Sequence, residues 1–312
     1  MKKKTNKLNY SRYGIYFIAP FFIVYIIFSL IPLLSTFYYS FFEYYMRQGI
    51  MQVGPNFIFL DNYINIFSDG ILFKYAGNTL IMWLMGFIPQ IILSLLLALW
   101  FTSTRLKIKG TGFFKTIMYM PNLVMASAFS MLFLQIFAAN GPVVNMLMES
   151  GLLEEEFNFF EKVITTRSLI ALMNFLMWFG NTTILLMAGI MGIDQTVIES
   201  ASVDGANSRQ IFLRIILPLL KPIMLYVLIT SLIGGIQMFD IPQILTEGNG
   251  GPNLATKTMI MYLHDLITTS KNYGLAGAVS VLLFIVTAAL SFVVFRAFKN
   301  NDMVDIEATA RK

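Results

Sequence analysis

The chain has no cysteine, one histidine and few charges, and each shortage removes a class of chemistry. Without cysteine there is no disulfide, thiolate nucleophile or cysteine metal site, and a lone His264 excludes a histidine cluster. No catalytic residue and no metal ligand is assigned. Charged residues are 12% of the 312 positions and apolar ones 57%, against roughly 25% charged in an ordinary soluble domain. Lipid is therefore the expected solvent. A Gly-x-x-x-x-Gly-Lys-Ser/Thr phosphate loop is also missing, so ATP hydrolysis by that route would need another chain. The net charge of +5 is read as orientation in a bilayer rather than affinity for nucleic acid.

What the chain has in abundance is long apolar runs. Six are long enough to cross roughly 30 Å of hydrocarbon as helices, near 14–42, 75–102, 116–138, 168–192, 216–239 and 274–296. The first follows Lys2-Lys3-Lys4 but outlasts a signal-peptide core and lacks a clear small-residue cleavage site, so it is expected to stay as a spanning helix. Lysine and arginine are unevenly shared between the connections. Sixteen fall at the N-terminus, in the second and fourth connections and in the tail, and six on the other side. That bias predicts both termini in the cytoplasm and the run Glu154-Glu155-Glu156 outside. The expected organisation is an N-terminus, first helix and external loop over 1–73, a core of five helices over 74–298, and a cytoplasmic tail over 299–312.

The interiors of these runs carry almost no ionisable side chain, Lys221 near one end excepted. Proton relays and intramembrane catalytic centres usually need such groups, which weighs against a proton-coupled carrier or a membrane enzyme. A secondary carrier or channel not coupled to ATP is the alternative reading, sodium coupling through hydroxyls and carbonyls remaining open to it. Amides and aromatics do occur at depth: Asn78, Trp83, Gln90, Gln135, Asn174, Trp178, Asn181 and Gln237. A pathway for a polar, uncharged solute needs such groups, because hydroxyls leave water only when their hydrogen bonds are replaced. The same amides can simply join helices, and tryptophan can belt the interface. The 20 methionines and 29 phenylalanines read as packing and lipid-facing residues, the Gly248–Pro252 run as an external turn, and His264 as a surface residue.

One polar break, 194–222, interrupts the pattern on the side assigned to the cytoplasm. Val197, Ile198 and Ala201, then Ile211, Phe212, Ile215 and Ile216, recur at helical spacing and predict two short amphipathic pieces around Asp204-Gly205. Gly205 permits a turn that a side chain hinders, and Asp204 is expected to accept amide hydrogen bonds at the start of the second piece. Pro218 and Pro222 mark re-entry into the bilayer.

This break resembles the EAA loop of inner-membrane permease subunits of ATP-binding-cassette importers. Glu199, Ala201, Asp204, Gly205, Ala206, Gln210, Phe212, Ile215, Leu217, Pro218 and Pro222 stand where that pattern puts them, with Ser200 replacing its middle alanine and Asp194 a common proline. Phe59-Leu60-Asp61-Asn62-Tyr63, Asn140-Gly141-Pro142, Gly250-Gly251-Pro252 and Tyr273-Gly274-Leu275-Ala276 extend the likeness to sugar permeases of the maltose and multiple-sugar type. The resemblance implies an all-α membrane protein of the type I importer fold, with six transmembrane helices. It further implies half of a sugar pathway, for a disaccharide or oligosaccharide by default. The implied partners are a second homologous permease, two ATPase subunits that hold the ATP and magnesium, and an extracytoplasmic sugar-binding protein. Carried over to this sequence, Glu199, Asp204 and Gly205 would be the polar and turn-forming parts of a coupling helix. Ala201, Ala206 and Phe212 would be its packing face, and Pro218 would stand at its exit.

Overall fold

The computed structural model describes residues 10–310 apart from 104, 105, 107 and 153–156, with side chains described for 13–298 of that range. The basic residues at 2–4, 7, 105, 107, 311 and 312, and the acidic run 154–156, lie outside the described residues; Arg12 and Lys299 are described by backbone only. The chain divides into two compact units, residues 1–69 with 265–284 and residues 70–264 with 285–312.

In the first unit, α1 (Tyr10–Tyr25), a π-helical turn (Ile26–Leu30) and α2 (Ile31–Tyr39) form one long apolar rod. The π turn ends two residues before Pro32, whose missing N–H and ring open the α-helical ladder. An antiparallel hairpin follows, β1 (Phe42–Arg47) with β2 (Met51–Phe57), an element not foreseen in an all-helical chain. Its turn uses Gln48 and Gly49, both at positive φ. The next helix is α3 (Asp61–Ser68), where Asn62 donates to Ser40 O and Phe42 O at 3.0 Å each and the Tyr63 hydroxyl donates to Ser40 Oγ at 2.8 Å. The Asp61-Asn62-Tyr63 motif thus ties the helix to the hairpin root. Residues 265–284 belong here because the hairpin bonds to them: Met46 N–H donates to Lys271 O at 3.0 Å. A Cβ at Gly274 would fall 2.1 Å from Phe42 O, so only glycine allows that approach.

The second unit is built on α4 (Ile71–Thr102), crossed by α8 (Val163–Met191). Between them lie α5 (Thr111–Leu123), α6 (Ala126–Ile136) and α7 (Pro142–Glu149). α4 and α8 approach closely at Gly86, where a Cβ would sit 2.9 Å from Ala171 O; this is the small-residue contact that membrane helices favour. After α8 come α9 (Gln195–Val203), α10 (Ser208–Ile211), a second π turn (Phe212–Ile216), α11 (Leu217–Leu219) and α12 (Lys221–Ile236). Again the π turn ends two residues before a proline, Pro218. The unit continues through α13 (Asp240–Leu245) and into α14 (Met259–Thr268); α15 (Tyr273–Ala310) closes the chain.

Among the described residues, five helices are long and apolar enough to cross a membrane, or six if one bent pair is a single span. The bent pair is α5 and α6, so the run expected as a straight helix over 116–138 is broken by 92°. Val124 and Met125 adopt extended ψ values of 136° and 134°. Pro121 lacks a ladder donor one turn earlier, and Asn122 is held by donating to Met177 O on α8 at 3.2 Å. His264, expected at the surface, is partly buried with its ring 5.0 Å from that of Phe239.

Candidate functional site

α4, α8 and α12 wall a cavity of about 260 Å³. Five of the eight predicted pathway residues reach it: Trp83, Gln90, Asn174, Trp178 and Asn181. Asn174, Trp178 and Asn181 are spaced by four and three residues, which puts them on one face of α8. The Trp83 ring stacks on Phe87 at 5.2 Å and its indole N–H donates to Ser231 Oγ on α12 at 3.0 Å. Its other neighbour is Gly235, where a Cβ would lie 2.2 Å from the ring. Gln90 is buried and donates to Thr182 Oγ1 at 2.8 Å, a cross-helix bond of the kind worth about 0.6 kcal/mol on average in membranes.

Hydrogen-bond capacity is unevenly left over in this wall. Asn174 donates to Ile170 O at 2.9 Å and Thr230 to Tyr226 O at 2.8 Å. Asn181 makes no side-chain hydrogen bond among the described residues, and Trp178 is 48% exposed. The cavity therefore offers an unengaged amide beside aromatic faces, and every residue that lines it is uncharged.

Three predicted pathway residues are elsewhere. Gln135 and Gln237 are exposed and do not line the cavity. Asn78 is buried and engaged in the fold: it donates to Leu254 O at 2.8 Å and Lys257 O at 3.1 Å and accepts from Arg167 Nη2 at 2.7 Å.

The polar break folds as two short helical pieces joined by a turn. Asp194 caps α9 by accepting from Thr196 N–H at 2.9 Å, and that backbone hydrogen bond, with the Thr196 side chain, lowers its pKa below the ordinary carboxylate value. Gly205 sits at φ +83° with open space around it, so glycine is needed there for conformation and not for room. The second piece is capped by Asn207, not by Asp204. Asn207 accepts from Gln210 N–H at 2.9 Å and the Gln210 side chain accepts from Asn207 N–H at 2.8 Å, a reciprocal capping box. Asp204 is the C-terminal cap residue of α9, three positions before the Asn207 cap of the next helix.

Ala201, Ala206 and Phe212 pack against a buried cluster that includes Ala98, Leu186, Met187, Ile190, Ile211 and Leu220. Glu199, Asp204, Gly205 and Pro218 are exposed. From Ser208 the chain is helical through the π turn to Leu219, turns at Leu220 and is helical again in α12, with Leu220 N–H donating to Ile216 O and Met224 N–H to Leu220 O at 2.9 Å each. The turn at Gly205 is therefore joined to Tyr226, Thr230 and Ser231 in the cavity wall by a short link at Ala206-Asn207 and by helices that turn once, at Leu220.

Residues 90–302, which include most of this wall and the whole polar break, match the family described as binding-protein-dependent transport system inner membrane component. The chain belongs to that family. As an inner membrane transport component it is a multi-pass membrane protein rather than an enzyme. It is similar to the lactose transport system permease protein LacF of Rhizobium radiobacter, 29% identical over 302 residues, covering 95% of this chain and 99% of LacF. It is similar also to the arabinooligosaccharides transport system permease protein AraP of Bacillus subtilis (strain 168), 30% identical over 280 residues, covering 89% and 85% respectively. In fold it matches the crystal structure of a bacterial ABC transporter involved in the import of the acidic polysaccharide alginate, with a TM-score of 0.77 over 94% of this chain and 97% of that chain at 21% identity.

Several residues of this inner membrane component escaped the reading of its sequence. Tyr226, Thr230 and Ser231 line the cavity, and their signal was a cluster of polar groups within one otherwise apolar run. The Asn207 cap was legible as Asn-x-x-Gln before an apolar stretch.

Proposed function

We propose that the chain forms one half of the translocation pathway of an ATP-binding-cassette importer for a neutral sugar. A second homologous permease subunit supplies the other half. Two ATPase subunits, which bind the ATP and magnesium, drive it from the cytoplasm, and an extracytoplasmic binding protein delivers the sugar. The observation that carries this reading is the uncharged cavity of aromatic faces and amides, whose α12 wall follows the Gly205 turn through a mostly helical segment with one turn at Leu220. Aromatic faces suit the apolar side of a pyranose ring, and amides replace the hydrogen bonds its hydroxyls lose on leaving water. A carboxylate or phosphate would be desolvated against these walls without a countercharge, which favours a neutral cargo.

Glu199, Ala201, Asp204, Gly205, Ala206, Phe212 and Pro218 form the coupling element in this reading. Its packed side, Ala201, Ala206 and Phe212, fixes it to the helix ends, while the exposed Glu199 and Asp204 are free to meet an ATPase. A push on the turn would be carried by the helix into the cavity wall. The LacF and AraP likenesses support a disaccharide or oligosaccharide cargo. Radiolabelled sugar uptake by the reconstituted importer tests this: neutral saccharides should compete, and competition only by acidic or phosphorylated sugars would oppose it.

A further inference from the structure

We infer that Arg167 and Asn78 form a latch that positions the connection between α13 and α14 and, through it, the Met238 side of the cavity. The inference rests on the reading of that cavity as the pathway. Arg167, half-buried near the start of α8, donates to Ala255 O from Nε at 3.0 Å and from Nη2 at 2.9 Å, and to Asn78 Oδ1 at 2.7 Å. Asn78 on α4 adds its two bonds to Leu254 O and Lys257 O. Three carbonyls of one short segment, at Leu254, Ala255 and Lys257, are thus held by one guanidinium and one amide. A planar guanidinium presents its donors in a fixed fork, so this contact specifies geometry as well as attraction.

The connection has its own turn hydrogen bonds, such as Thr256 N–H to Gly250 O at 2.9 Å and Ala255 N–H to Pro252 O at 3.0 Å, but it is a backbone under conformational strain. Glu247, Asn253 and Leu254 have positive φ, as do Gly248, Gly250 and Gly251, a conformation that side-chain-bearing residues adopt only when their surroundings impose it. The held segment then leads directly to the cavity. Thr258 Oγ1 donates to Met238 O at 2.9 Å, and Met238 lines the cavity with its Sδ 3.7 Å from Asn174 Nδ2. Met238 lies in the break between α12 and α13, where its N–H makes only a tight turn bond to Gly235 O at 3.2 Å and its carbonyl takes the Thr258 hydroxyl instead of a ladder donor. The latch stands about 7 Å along α4 from Trp83 and about 10 Å along α8 from Asn174, at 1.5 Å per residue. Its release would free the wall at Met238, and through Met238 the neighbour of Asn174, while the latch residues themselves stay outside the cavity lining. Arg167 and Asn78 are positioning residues in this scheme and do not contact substrate.

The absence of native cysteine makes single-cysteine reporters direct. In the assembled importer in spheroplasts, Met238→Cys would be labelled by a membrane-impermeant maleimide, with buried Val144→Cys as a remote reporter. The expected result is labelling of Met238→Cys roughly tenfold faster in Arg167→Gln, as for a local opening, with Val144→Cys unchanged. Arg167→Lys should be intermediate, and Asn78→Leu, which removes the amide without adding a charge, should add little to Arg167→Gln because both break one latch. Equal Met238→Cys rates with and without Arg167 would overturn the inference, and so would parallel rises at both reporters, which mark a general structural tie. Sugar protection of Met238→Cys with Arg167 intact tests the underlying reading: no protection overturns both, whereas protection with a rate indifferent to Arg167→Gln overturns the latch alone.

Discussion

The indole of Trp83 lies against the bare Cα of Gly235, so close that a Cβ there would sit 2.2 Å from the ring. This contact joins α4 to α12 at the cavity and sets the ring for its bond to Ser231. Gly235→Ala is expected to displace the indole, lower thermal stability by about 1 to 3 kcal/mol and weaken sugar protection of cysteine reporters in the cavity. A thermal melt of the purified complex, read beside a protection assay, checks both.

A harsher case is Gly180. A Cβ there would fall 1.9 Å from Met118 O, a backbone atom of α5 that cannot turn aside as a side chain can. Gly180→Ala should cost stability towards the upper end of the ~1 to 3 kcal/mol expected for overpacking. An unchanged melting temperature would show that α5 and α8 are further apart than described.

The Gly205 turn gives a functional prediction. With φ at +83° and no neighbour within 4 Å of a Cβ, Gly205→Val meets only conformational strain, of about 1 to 2 kcal/mol. The protein should still insert, while ATP hydrolysis by the assembled importer should persist with sugar uptake strongly reduced. Gly205→Asn should be milder, because asparagine tolerates the left-handed region. Paired assays of hydrolysis and uptake decide it; equal losses in both would speak against a coupling role.

The caps separate two neighbouring residues. Asn207→Ala should destabilise the second helical piece by about 1 kcal/mol, and Asn207→Asp should largely retain the cap. Asp204→Ala should have little effect on that helix, since Asp204 does not cap it. Hydrogen exchange over residues 208–216 distinguishes these outcomes.

Much of the framework could be read from residue patterns because lipid imposes long apolar runs that tolerate few alternatives. The spans at α4, α8, α12 and α15 came from hydropathy alone, and the turn at Gly205 from the residue that left-handed backbone requires. The hairpin at Phe42–Phe57 was hidden in an aromatic stretch next to a spanning helix, although Tyr44-Tyr45 before Gln48-Gly49 carries strand and turn signals. Beside the bend between α5 and α6, Asn122 reaches Met177, a contact across 55 residues that periodicity does not report. Asn78 is the plainest instance. An amide within an apolar run suits a cargo or a structural bond equally, and only its partners near residue 255 reveal that it holds a connection. The cavity was half legible for the same reason: residue type nominated its lining, and packing selected among the nominees.

Transport by the assembled importer in proteoliposomes tests the central claim most directly. With the second permease, the ATPase subunits and the binding protein present, accumulation of a neutral sugar should require ATP and should fall to background in the Gly205→Val variant. Accumulation by this chain alone, without nucleotide or ATPase subunits, would contradict the claim and favour a secondary carrier.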